Sequence, residues 1–100
     1  MQYNNYDIKE FEAEARRLME EAITLLVNKR KDYGPNALKG GQNGIAIRMS
    51  DKMARLENLL GISDGTFKSR KAIVGDEKIE DTIKDLLNYS ILFLMEGKKK

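Results

Sequence analysis

The chain has 100 residues, of which 18 are Lys or Arg and 16 are Asp or Glu, for a formal net charge of +2. Cysteine and histidine are both absent, which excludes disulfides, thiolate zinc sites, His-based triads and histidine-ligated metals. Any catalysis must therefore rest on carboxylates, Lys, Arg, Tyr, Ser/Thr or a metal held by oxygen atoms, and such ligands favour Mg²⁺ or Mn²⁺.

The length suits one domain, residues 1–100. A helical chain this short often completes its core by oligomerising. The nearly balanced charge does not point to direct nucleic-acid binding. The start, MQYNNYDIKEF, has no apolar stretch that would read as a signal peptide, and no apolar run approaches membrane-spanning length. The expectation is a cytosolic protein with no membrane partner. The basic tail Lys98–Lys100 reads as a solvated, frayed end.

Three helical patterns and no strand pattern stand out, so the expected fold class is all-α, a helical bundle. The first helix is expected from about Ile8 to Lys31, with Asp7 as N-cap and Glu10 at the capping-box position. Ile8, Phe11, Ala15, Leu18, Ala22, Leu25 and Leu26 recur at steps of three and four and form one apolar face. Glu10, Glu14, Arg17 and Glu21 fall opposite, a solvated face with i,i+4 pairing. Gly34 and Pro35 stop the helix.

Residues 34–44, GPNALKGGQNG, read as a loop without the spacing of a phosphate-binding P-loop. The second helix is expected over about Ile45 to Leu60, with Met49, Met53, Leu56 and Leu60 inward and Gly61 as its stop. A connector follows, with a turn signal at Asp64-Gly65. Its Lys68, Arg70 and Lys71 read either as solvated or as a loop closing over phosphates. The third helix is expected to start near the N-cap Asp76 and run to about Glu96. Its expected core face is Ile79, Ile83, Leu86, Ser90 and Leu94, flanked by Leu87 and Phe93.

On that last helix, Glu77, Asp81, Asp85 and Asn88 share a sector of roughly 80° at about 100° per residue. A solvated outer face is the plain explanation. Against it, the sector continues into apolar Leu92 and Met95, and a helix apolar all round is a buried one. Asp81 and Asp85, one turn apart, also repel unless a cation neutralises them. That cation is either a divalent metal or a lysine such as Lys78 or Lys84. On the second helix, Asp51, Arg55 and Asn58 share a polar face flanked by Arg48 and Lys52. It reads as a surface ion pair or as a set of phosphate contacts. Glu57 lies near the other edge of the apolar face.

Three segments taken together, Lys31-Asp32-Tyr33-Gly34, the run Arg48 to Leu59 (RMSDKMARLENL) and the run Glu80 to Tyr89 (EDTIKDLLNY), resemble the nucleotide-modification-associated domain family. That family is common in phages and is similar to the all-α, MazG-like nucleoside triphosphate pyrophosphohydrolases. The resemblance covers about residues 25–95. It implies a helical bundle, dimeric or higher (a dimer or tetramer), residing in the cytoplasm of a bacterial host. It further implies a nucleotide ligand, Mg²⁺ or Mn²⁺, and cleavage of a nucleoside triphosphate to monophosphate and pyrophosphate. The family pattern of ExxE on one helix and ExxD on the next is not kept: Asp51 and Glu57 are not one turn apart, the ExxE here is Glu77–Glu80, and Asp81 and Asp85 are spaced by four.

Carried onto this chain, the expected metal ligands are Glu77, Asp81, Asp85 and Asp51, with Asp81, Asp85 and Glu80 as catalytic acids. Arg48, Lys52, Arg55, Asn88, Tyr89, Asp32 and Tyr33 are the expected nucleotide contacts. Two functions stay open: a metal-dependent pyrophosphohydrolase, or a module that binds and sequesters a nucleotide without cleaving it.

Overall fold

The computed structural model describes residues 7–33, 40–63, 66–67 and 77–99. They form α1 (Ile8–Tyr33), α2 (Gly41–Leu60), the two-residue strands β1 (Ile62–Ser63) and β2 (Thr66–Phe67), and α3 (Glu77–Gly97). Apart from the small ribbon this is the all-α class expected. The expected N-cap Asp76, the Asp64-Gly65 turn, the Lys68–Lys71 cations and the Gly34-Pro35 stop lie outside the described residues. The chain divides into two compact units, Met1–Gly34 and Pro35–Lys100.

In the first unit, the Asp7 carboxylate starts α1 as expected. Its Oδ1 accepts hydrogen bonds from the backbone N–H of Lys9 at 2.6 Å and of Glu10 at 3.3 Å, satisfying two donors that helix geometry leaves without partners. The polar face is tied along the helix. Arg16 pairs with Glu12 at 2.9 Å, and Arg17 pairs with both Glu14 and Glu21. All of these groups are substantially exposed, so each pair adds little. Hydrogen bonding from the Arg17 guanidinium holds the Glu14 carboxyl below its ordinary pKa. Of the expected apolar face, Ala22 is buried and Ala15, Leu25 and Leu26 are half-buried, while Ile8, Phe11 and Leu18 are exposed.

In the second unit α2 and α3 pack side by side. Gln42, at the start of α2, donates from Nε2 to the carbonyl of Phe93 near the end of α3 at 3.1 Å. Lys52, midway along α2, reaches Asp85, midway along α3. These two ties make the helices antiparallel, with Arg48 level with Asn88 and Arg55 level with Asp81. Ile45 and Leu56 of α2 and Ile79 of α3 supply the buried apolar groups, each worth roughly 1.5–3 kcal/mol over its exposed state.

The Gln42 tie also explains Gly97. A Cβ there would collide with Gln42 Nε2, so a side chain at residue 97 would make the glutamine end shift from its place on α3. Gly61 closes α2 in the left-handed region, φ 72°, with its N–H donating to Asn58 O at 3.2 Å. That conformation carries a steric penalty for residues with a Cβ. The ribbon then pairs Ile62 with Phe67 and Ser63 with Thr66, leaving residues 64–65 between the strands.

One helix start and one helix face differ from the sequence reading. α2 begins at Gly41 rather than near Ile45, because Gln42 is anchored on α3 and holds a glycine-rich turn of weak helix propensity in helical form. The buried side of α3 is also rotated from the expected one. Ile79 is buried and Leu86, Ser90 and Phe93 are half-buried, but Ile83, Leu87 and Leu94 are exposed. Thr82 and Asn88 are buried in their stead. Thr82 is cheap to bury because its hydroxyl donates to the carbonyl of Lys78 at 2.7 Å, and Ser90 does the same to Leu86 at 2.8 Å. Each hydroxyl is thus satisfied within its own helix.

Candidate functional site

Of the polar residues singled out on α2 and α3, Lys52 and Asp85 meet across the α2–α3 seam. They form an ion pair, Lys52 Nζ to Asp85 Oδ2, at 2.9 Å. The two side chains are only 30 % and 15 % exposed, so the pair is partly withdrawn from water and its attraction is screened less than that of a surface pair. A lysine from the neighbouring helix, Lys52, thus faces the Asp85 carboxylate.

Close to one turn beyond Asp85 sits Asn88, 6 % exposed. Its amide Nδ2 is buried and has no hydrogen-bond partner. Leaving such a donor unsatisfied costs about 1–3 kcal/mol. Native proteins bury few such groups, and each one calls for a reason. A helix rotates by about 100° per residue, which puts Asp81, Asp85 and Asn88 along one flank of α3. On α2 the same geometry puts Arg48 and Arg55 on the flank that carries Lys52. The antiparallel register brings these two flanks to the same edge. Arg48, Arg55 and Asp81 are exposed there.

Of the other expected site residues, Glu77 and Asp51 are exposed. Glu80 is also exposed and is turned about 140° around α3 from Asp85, so it does not join that acid. Tyr89 is half-buried. Glu57 and Asn58 are exposed on α2. Asp32 is exposed near the end of α1, in the other compact unit, and the side chain of Tyr33 lies outside what the structure describes. Among the described residues, no three carboxylates are grouped so as to hold a metal ion.

Sequence reasoning missed Thr82 and Gln42 as structural supports. Thr82, one turn before Asp85 and Leu86, is only 2 % exposed and helps hold the segment of α3 that carries Asp85. Its sequence signal was faint: a β-branched, back-bonding residue inside a helix facing a neighbour. Nothing in the sequence marks Gln42.

No helix among the described residues is long and apolar enough to cross a membrane. Comparison with protein-family models, with curated proteins and with solved structures finds no match for this chain.

Proposed function

We propose that the polar edge of the α2–α3 pair binds a nucleotide through its phosphates, and that the chain acts as a nucleotide-capturing module. The observation that carries this reading is the buried, unsatisfied Asn88 amide beside the Lys52–Asp85 pair. It is a donor without an acceptor, close to one turn from the Lys52–Asp85 pair and level with Arg48 across the seam. Arg48 and Arg55 suit bidentate contact with phosphate oxygens. Lys52 can swing its flexible stem from Asp85 toward an anion at little strain, because both partners keep some access to water. Asp85 then holds Lys52 in position before the ligand arrives. The resemblance to the nucleotide-modification-associated domain family supports a nucleotide over other phosphates.

A metal fits the described residues less well. Asp85 already faces Lys52, Glu77, Asp51 and Asp81 are exposed, and Glu80 is turned away. For that reason no hydrolytic step is assigned here, although the pyrophosphohydrolases that the sequence resembles use carboxylate-held Mg²⁺. As part of the same proposal, the chain works as an oligomer, dimer or tetramer, in which a helical bundle is completed between copies.

The test is incubation of the purified full chain with a panel of ribo- and deoxynucleoside triphosphates, with and without Mg²⁺ or Mn²⁺. The expected outcome is a raised melting temperature with one class of nucleotide, as for any ligand that binds only the folded state, and recovery of that nucleotide intact. Release of monophosphate and pyrophosphate, abolished by Asp85→Asn, would replace capture with catalysis. No shift with any nucleotide would remove both.

A further inference from the structure

We infer that α3 pairs with α3 of a second copy, antiparallel, through its outward apolar stripe. The stripe is Ile83, Leu87, Ile91, Leu94 and Met95, exposed by between 36 % and 61 %. At about 100° per residue these five fall within a sector of roughly 120°, a continuous face at helical spacing that α2 leaves exposed. Such a face on a short helical chain is an association surface. This deepens the oligomer reading above and rests on it.

Charge along α3 selects the occupant and its direction. The first turns carry Glu77, Glu80 and Asp81 against the single Lys78, a net acidic start; the end carries Lys98 and Lys99 against the single Glu96, which pairs with Lys99 at 2.9 Å, a net basic end. A parallel pair would bring acid against acid and base against base. An antiparallel pair brings the acidic start of each helix to the basic end of the other, so the helix is complementary to a reversed copy of itself. This is the self-complementary, two-fold arrangement of the commonest dimers. It also opposes the two helix dipoles. With the two-fold axis near Tyr89, Leu87 lies level with Ile91 of the second copy, Ile83 with its Leu94 and Met95, and Glu80 with its Lys98. Glu80, which the fold turns away from Asp85, has an assignment here: it lies in the middle of the stripe's sector, at its acidic end.

The surface is tested on the full chain by light scattering during size-exclusion chromatography and by sedimentation equilibrium. Wild type should self-associate with rising concentration. Leu87→Lys should shift it to monomer with an unchanged helical circular-dichroism spectrum, because Leu87 is 37 % exposed in the single chain and a lysine stem there can keep its charge in water. Glu80→Lys and Lys98→Glu should each weaken association roughly three- to tenfold, as loss or reversal of a surface pair repeated by symmetry would. The double variant, with the charges exchanged, should return to within about twofold of wild type. A wild type that stays monomeric at every concentration overturns both this surface and the oligomer reading. An oligomer indifferent to Leu87→Lys overturns this surface alone. A double variant no tighter than the single ones overturns the antiparallel register.

Discussion

On one flank of α3, Asp85 and Asn88 are largely withdrawn from solvent, while on another flank Ile83, Leu94 and Met95 stand exposed in it. A helix of a single folded chain ordinarily does the reverse. The difference teaches two separate things. Asp85 is partly enclosed on the polar flank because α2 brings Lys52 to it, and a charged pair stays inside only where both members are matched. The apolar flank is open because α2 packs on the other side of α3, and among the described residues of this unit no further helix lies against it. Burial in this molecule thus follows what the neighbouring helix offers, not the apolar pattern of α3 alone.

Substitutions on the two flanks should separate these causes. The largest effect is expected inside the seam. Ile45 is 2 % exposed, and Ile45→Ala should lower the unfolding free energy by about 2–5 kcal/mol, whereas Leu94→Ala, on the open side, should change the unfolding of the monomer by only a few tenths of that. Urea titration at low protein concentration measures both. Equal losses would mean that the open flank is covered in the single chain.

Next in size is the ion pair. Asp85→Ala leaves Lys52 partly enclosed without its counter-charge and should lower stability by about 1–2 kcal/mol, less than for a fully buried pair because Lys52 retains solvent contact. Adding Lys52→Met should recover most of that loss. A double variant no more stable than Asp85→Ala would mean that the pair is not what holds this flank closed. Smaller again is the Gln42 tie: Gln42→Ala should cost about 0.5–1.5 kcal/mol and raise amide exchange in the last turn of α3. Unchanged exchange there would deny the glutamine its role.

The smallest effect lies on α1. Glu14 is held below its ordinary pKa by Arg17. A carboxylate depressed in this way adds stability that is present above its unfolded pKa and is lost as pH falls through the lower folded value. Glu14→Gln should therefore flatten the acid side of the stability profile slightly and leave neutral pH nearly unchanged, because the pair is exposed. A large loss at neutral pH would contradict the surface character of this network.

Much of this architecture was legible because it is local. The Asp7 cap, the ion pairs of α1 and the Gly61 stop depend on residues within four positions of each other, and the all-α class follows from long periodic segments. What the sequence hid depends on partners far away in the chain. The early start of α2 depends on Gln42 finding Phe93, 51 residues on. The rotation of α3 was hidden because Ile91 to Met95 are apolar on every side, so periodicity could not choose a face, and because Thr82 and Ser90 satisfy their own hydroxyls. Strands of two residues are too short to show alternation. For the candidate site, the sequence placed Glu77, Asp81, Asp85 and Asn88 in one sector of α3, and Asp51, Arg55 and Asn58 on one face of α2 flanked by Arg48 and Lys52. It did not foresee that Lys52 pairs with Asp85, or that Glu80 stands apart.

The most direct measurement is the melting temperature of wild type and Asn88→Leu, each with and without the nucleoside triphosphate panel. An amide kept buried without a partner for the sake of a ligand should be a burden in the empty protein. Asn88→Leu, close in shape and free of polar groups, should therefore melt higher than wild type without ligand, by the equivalent of about 1 kcal/mol, and should lose the nucleotide-induced rise. A variant that melts lower than wild type, or that still responds fully to nucleotide, would contradict the account.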